Sequence, residues 1–332
     1  MTVRYVNPQN QHPLEQVDDV LCDASGAAFP VVRGIPRFCE VDNYSTSFGH
    51  QWNKFQATQI DLGGAIDAPS SRRLFAETGW TREELAGADI LEVGSGAGRF
   101  SRVLLEHTEA RLYSVDYSTA VEANLKNNQA WGGGRLHLSQ ASIYELPFAD
   151  ASFDKVLCLG VLQHTPDFEA SIRALVGKAR VGGEIVVDFY EIRGLWTKLH
   201  AKYLLRPITR RMSQERLLGL IERNADRLIA ASRFLQRIGL GALRRFLPVV
   251  DIYGALPAGL PECELREWVV LDTFDMFSPA FDNPQRLKDV AKMFERAGAD
   301  VTFCGHVDFD LGTAAVVRAV RPPRQEGSDA GR

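Results

Sequence analysis

Residues 89–101 read DILEVGSGAGRFS, and the fold turns on this stretch. An apolar run at 90–93 leads straight into Gly94, Ser95, Gly96 and Gly98, and helical periodicity starts at once. Glycines permit positive φ and bring bare backbone close to a ligand. The first N–H groups of the helix that follows then face that ligand. A dinucleotide fingerprint, GxGxxG, would need glycine at 99, where Arg99 stands. The spacing here is GxGxG, with Glu92 in the strand end, which argues against a diphosphate-linked cofactor.

Outward from this turn the pattern alternates. Helical spacing over 98–107 is followed by a strand at 112–115 that ends at Asp116. A helix over 118–128, a strand at 136–138, a strand at 153–160, a helix at 168–179 and a strand at 184–190 come next. Strands and helices alternating at this spacing give right-handed βαβ units and a parallel sheet. Asp116 closes the second strand, 24 residues after Glu92. A carboxylate there suits the two hydroxyls of a ribose, and a helix cap is the alternative.

The glycine turn, Asp116 with Tyr117, and QASIYELPFADASFDKVLCLGVLQHTPD at 140–167 together resemble the class I S-adenosylmethionine-dependent methyltransferases. The resemblance is strongest to the branch with the ubiquinone and menaquinone C-methyltransferases. It covers residues 85–190 and, more loosely, the closing strands. It implies a Rossmann-like α/β fold: a seven-stranded, mostly parallel sheet with helices on both faces. It also implies S-adenosylmethionine as cofactor. The contacts it implies are Glu92, Gly94, Ser95, Gly96, Gly98, Asp116, Tyr117, Ala141, Ser142 and Leu159. Ser142 stands where the family often has aspartate for the adenine amino group. His164 and Tyr190 are the catalytic candidates, since a histidine titrating near neutrality accepts a proton from an oxygen or nitrogen nucleophile; a scaffold role is the alternative for His164.

Residues 1–45 hold Pro8, Pro13, Pro30 and Pro36 among short β-prone runs and read as a small β-rich module. The segment 21–38 resembles a zinc-ribbon-like module, but Ser25 replaces the second cysteine of the usual pair, so no metal is expected. Residues 46–87 read as connecting helices that cap the cofactor site. SFGHQWNKF at 47–55 resembles a segment that closes over the cofactor, which makes Trp52 a cofactor contact. Arg72 or Arg73 is a candidate for the cofactor carboxylate. Thr81 and Glu84 form a capping-box pattern.

The core runs over 88–190. Residues 191–282 read as a helical lid and substrate insertion, with 193–246 amphipathic and 248–282 rich in loops. A closing helix and strands occupy 283–320, and a disordered tail 321–332. Between 191 and 246 there are 13 Arg and Lys against 4 Asp and Glu. Three readings of this excess stay open: a solvated helix pair, a pocket for an acidic acceptor, and contact with an anionic membrane or other polyanion.

The 332 residues carry a net charge of only −4, with 45% hydrophobic residues, an ordinary globular composition. Five scattered cysteines do not make a disulfide framework. The chain lacks a signal-peptide pattern and a long apolar run, which suggests the cytoplasm and no transmembrane segment. Neither an RNA-reading motif nor a basic balance is present, so no nucleic acid is expected. The expected partner is a small-molecule acceptor, with the chain a monomer or homodimer. The function expected is methyl transfer to O, N or C in biosynthetic or natural-product metabolism. The alternatives are a non-catalytic S-adenosylmethionine-binding regulator and another transferase using the same cofactor.

Overall fold

A computed structural model describes residues 3–61, 68–194, 199–256, 260–309 and 312–323. Four short strands, β1 (Glu15–Val17), β2 (Val20–Cys22), β3 (Ala28–Val32) and β4 (Ile35–Pro36), form an antiparallel sheet in that order. Leu21, Val31 and Phe38 of this module are buried in the main core, and the Phe38 N–H donates to the Gln140 carbonyl at 2.8 Å. In the loop after β2 the Asp23 carboxylate accepts from Asn7, Asn10 and Ser25 at 2.6–2.9 Å, and these bonds hold its pKa well below the usual carboxylate range. Cys22 and Cys39 are free thiols.

Helices α1 (Thr46–Lys54) and α2 (Pro69–Thr78) lead to the large sheet. Gly79, in the left-handed region, ends α2. The Thr81–Glu84 box does form, at 2.9 and 3.3 Å, but it closes a run of turns rather than starting a helix.

Next come β5 (Asp89–Val93), α3 (Arg99–His107), β6 (Arg111–Asp116), α4 (Val121–Gly132), β7 (Leu136–Gln140), β8 (Phe153–Cys158), α5 (Phe168–Lys178) and β9 (Ala179–Phe189). All five residues of β5 are buried, as a central parallel strand covered on both faces requires. The insertion holds α6 (Ala201–Thr209), α7 (Gln214–Arg237) and α8 (Glu262–Phe277), and α9 (Leu287–Arg296), β10 (Asp300–Phe309) and β11 (Gly312–Val320) close the sheet.

The strand order is β10-β11-β9-β8-β5-β6-β7. β7, β6, β5, β8 and β9 run parallel; β11 pairs antiparallel with β9 and β10 antiparallel with β11, so β11 alone opposes the other six strands. This is the Rossmann-like architecture expected from the sequence.

The insertion departs from expectation at α8. Residues 262–277 lie in the stretch read as loop-rich, yet they form a helix. Leu265, Val269, Val270, Leu271, Phe274 and Phe277 are all buried. From Trp268 onward no residue of this helix is exposed, so apolar residues occur all round that half and no one-sided stripe announces it. Leu217, Leu218 and Ile221 of α7 pack against Val270, Leu271 and Phe274. No helix among the described residues is long and apolar enough to cross a membrane. From residue 324 onward the expected tail lies outside the described residues.

Candidate active site

Strand order reverses between β5 and β8. Open α/β sheets bind ligands beyond the carboxyl ends of the strands at such a point. A cavity of about 690 Å³ lies there. It is lined by the glycine turn, by residues that follow β6, β7, β8 and β9, and by α1 and α8.

β5 passes into Gly94, Ser95 and Gly96. Gly96 has φ +53°, and a Cβ there would come within 3.0 Å of Trp52 Nε1, so the indole lies directly on the turn. Gly49 allows this approach of α1: a Cβ at 49 would be 2.4 Å from Thr119 Oγ1. Asn53 fixes the contact by donating to the Thr119 carbonyl at 3.1 Å.

Asp116 is buried at the end of β6. One carboxylate oxygen accepts from the Gly96 N–H at 2.8 Å. The other accepts from the Ser118 N–H at 2.8 Å and hydroxyl at 2.7 Å. Burial raises its pKa. A carboxylate offers about four acceptor positions, so about one remains for a ligand. The Ala141 N–H donates to the Asp116 carbonyl at 3.1 Å, and the rings of Tyr117 and Tyr44 lie 4.9 Å apart on the same side of the cavity.

Of the residues singled out in the sequence, Trp52, Gly94, Ser95, Gly96, Asp116, Tyr117, Ala141, Leu159, His164 and Tyr190 all line the cavity. Glu92, Gly98 and Ser142 are not among its lining residues. The Glu92 carboxylate accepts from Ser101 and Ser114, and burial pushes its pKa up to about 7. Asn124 donates to Ser95 and Ser114 at 3.0 and 3.1 Å, so this cluster braces the turn. Gly98 is the N-cap of α3. Ser142 Oγ accepts from the Tyr144 N–H at 3.2 Å.

Two arginines line the cavity with different surroundings. Arg73 is held by Glu77 at 2.8 Å and Asp188 at 2.6 Å. Arg99 donates to Ser70 Oγ at 2.7 Å and Gln59 Oε1 at 3.4 Å, both neutral. Among the described residues Arg99 has no carboxylate within ion-pair distance. Burial and the nearby Arg73 draw its guanidinium down to about 10. Arg72 has interactions of its own and does not line the cavity.

Helix α8 gives the cavity an acidic face. Asp272 and Asp275 sit one helical turn apart on α8 and both line the cavity. Asp272 accepts from Gln59 Nε2 at 3.2 Å, and burial, with Asp275 beside it, pushes it up to about 8. Tyr190 OH donates to Asp275 at 3.2 Å. Of the basic residues at 191–246, Arg193 alone among the described ones lines the cavity; Lys202, for example, is turned to Asp282 at 2.8 Å. The insertion's positive charge therefore does not form an anion pocket at this site.

His164 closes a 3-10 turn, Leu162–His164. Its Nδ1 lies 3.1 Å from the Phe281 carbonyl. A carbonyl only accepts, so Nδ1 carries the proton and Nε2 is the acceptor. Burial lowers the pKa, which keeps the ring neutral at neutral pH. The Tyr190 ring stands nearly perpendicular at 5.6 Å. Among the described residues, the Gln163 side-chain amide and Gln51 Oε1 are buried without a hydrogen-bond partner. Both residues line the cavity, and such orphans need a ligand or water.

The sequence reading missed Arg99, Gln59 and Gln163; in the sequence Asp272 and Asp275 read equally as acids near the acceptor mouth and as capping and turn acids around Pro279 and Pro284. A cation on the first residue after a glycine turn was a usable signal for Arg99. Nothing local marked the others.

Residues 91–187 match the model described as a methyltransferase domain. This segment is a methyltransferase domain. Around it, the chain is 25% identical over 235 residues to an uncharacterized Synechococcus protein, covering 68% of this chain and 50% of that one. It is 31% identical over 109 residues to the ubiquinone biosynthesis O-methyltransferase of Xanthomonas euvesicatoria, covering 32% and 45%. The chain spans about half the length of the curated relatives it matches. The Synechocystis magnesium protoporphyrin IX methyltransferase, solved with S-adenosylhomocysteine, aligns with a TM-score of 0.41 at 16% identity, covering 85% of this chain and 89% of that one. The methyltransferase domain contributes the glycine turn, Asp116 and His164; Trp52, Asp272 and Asp275 come from outside it.

Proposed function

We propose that this chain transfers a methyl group from S-adenosylmethionine to an O, N or C atom of a small-molecule acceptor. One observation carries the reading: a single cavity joins the glycine turn and Asp116 to His164, Tyr190 and the α8 acids. The donor set suits a zwitterionic nucleoside. Asp116 keeps an acceptor position for a ribose hydroxyl, Ala141 and Tyr117 flank the base, and Arg99 receives the amino-acid carboxylate. Trp52 covers the turn and excludes water. When bound, the cofactor supplies an electrophilic methyl group on a positively charged sulfur.

His164 takes the acceptor's proton at Nε2, and the Phe281 carbonyl fixes the tautomer that permits this. Asp275 orients the Tyr190 hydroxyl. With Asp272 and Asp275 on its wall, the site suits an acceptor that donates hydrogen bonds, a hydroxyl or amine compound, rather than a carboxylate or phosphate.

The test is release of S-adenosylhomocysteine against a panel of hydroxyl and amine acceptors, with mass spectrometry of the product. A product heavier by one methylene supports the proposal. Tight cofactor binding with no turnover across the panel makes the chain a binding protein instead. A product carrying a larger transferred group assigns a different transferase.

A further inference from the structure

We infer that the tip of the helical insertion docks on the surface of an anionic phospholipid bilayer. The inference is independent of the proposed methyl transfer.

Among the described residues, nine of the sixteen exposed large apolar side chains fall within 199–246, so exposure is concentrated in one part of the molecule. It is densest where α7 ends and a 3-10 turn, Gly241–Phe246, follows. Phe234 is 60% exposed and Phe246 48%. Ile238, Leu240 and Leu243 between them are likewise exposed. Arg245 donates to the Leu199 carbonyl at 2.9 Å, which brings exposed Leu199 to the same edge. Single exposed apolar residues need no explanation, but a cluster marks a contact surface.

Charge identifies the partner. Residues 227–250 contain five arginines and no aspartate or glutamate. Arg233 is paired with Glu262 at 2.9 Å and Arg244 with Asp251 at 3.5 Å. Arg227 and Arg237 have no ion pair among the described residues. Asp226 and Glu262 border the same patch, so the arginines are in excess rather than alone; exposed apolar side chains with an excess of cations are the composition of an element that lies in a headgroup layer. A second copy is disfavoured, because a two-fold contact would set two patches of net positive charge against each other. Nucleic acid is disfavoured too, since single strands are held by aromatic stacking, and most of this patch is aliphatic.

The test is co-sedimentation of the full chain with two kinds of vesicle: phosphatidylcholine alone, and phosphatidylcholine mixed with phosphatidylglycerol. Binding to the mixed vesicles only, weakened by salt, is the expected result. Phe234→Ser with Phe246→Ser should weaken it by about tenfold or more. Arg227→Glu with Arg237→Glu should remove the preference for anionic lipid. Both double variants alter exposed side chains, and unchanged thermal melting confirms folding. No binding to mixed vesicles, equal binding to neutral ones, or full binding by both variants overturns the proposal. A change of oligomeric state in the phenylalanine variant with lipid binding intact assigns the patch to a second copy. Displacement from vesicles by a short RNA at the same patch, without lipid selectivity, assigns it to nucleic acid.

Discussion

Replacing Arg99 by methionine separates a ligand-binding cation from a structural one. Arg99 and Arg73 both line the cavity, but they stand in opposite electrostatic positions. Arg99 is half-buried against a serine hydroxyl and an amide oxygen, so its charge is not compensated at contact range. Removing it leaves Ser70 Oγ donating to Asp61 at 2.9 Å and takes from Gln59 Oε1 only a long 3.4 Å contact. Without ligand, Arg99→Met should leave stability unchanged or raise it, because an unpaired buried cation carries a desolvation penalty. With cofactor, the loss is one charge-assisted contact of about 2–3 kcal/mol, or about 30- to 150-fold in affinity. Arg73→Met is the contrast. It strands buried Glu77 and Asp188 together, at a cost of about 3–5 kcal/mol in folding. Calorimetric titration with S-adenosylhomocysteine and thermal melting of both variants without ligand read the two effects separately. Wild-type affinity in Arg99→Met refutes the carboxylate assignment. A loss of stability in Arg99→Met matching that of Arg73→Met refutes the electrostatic reasoning.

Three further predictions concern the same cavity. Asp116→Ala removes the acceptor for the Gly96 N–H and for a ribose hydroxyl, and calorimetry should show cofactor affinity falling by about 1.5–3 kcal/mol. Asp272 has a folded pKa raised from 3.8 to about 8, so between these values the folded state holds a proton that the unfolded state has lost. Its contribution to stability is full below 3.8 and is lost as pH rises through about 8, with a slope of up to ~1.4 kcal/mol per pH unit. Asp272→Asn should therefore flatten that dependence and stabilise the protein at pH 8 in urea unfolding. His164→Asn should lower kcat by about 10²–10⁴-fold while cofactor affinity stays within a few-fold. Because burial lowers the His164 pKa, wild-type kcat should fall only on the acid side, below the usual histidine range, in a pH–rate profile.

The core was legible in the sequence because its signals are local. Apolar runs at strand length, helical spacing and a glycine turn lie within a few residues of one another, and β5, α3 and β6 follow them closely. Asp116 was legible for the same reason: a strand end fixes where its side chain emerges. Helix α8 was illegible because its second half, from Trp268 onward, has no exposed residue, and such burial erases periodicity. The basic excess at 191–246 was visible, but its direction was not, since charge counts carry no information about which face of a helix meets the cavity.

Within the core, the order of strands and helices, the glycine turn and the acid beside it were set by the chain alone. These follow from backbone preference and hydrophobic period within one segment. Tertiary structure alone decided which charges meet. Glu92 was turned to Ser101 and Ser114, Arg73 was drawn to Asp188 as well as to Glu77 on its own helix, Arg99 was left with neutral partners, and Asp272 was brought to Gln59. Coulomb and desolvation energies depend on distances through space and on burial, and side chains 115 or more positions apart along the chain, such as Arg73 and Asp188, acquire those distances only when the sheet and its insertion close on each other.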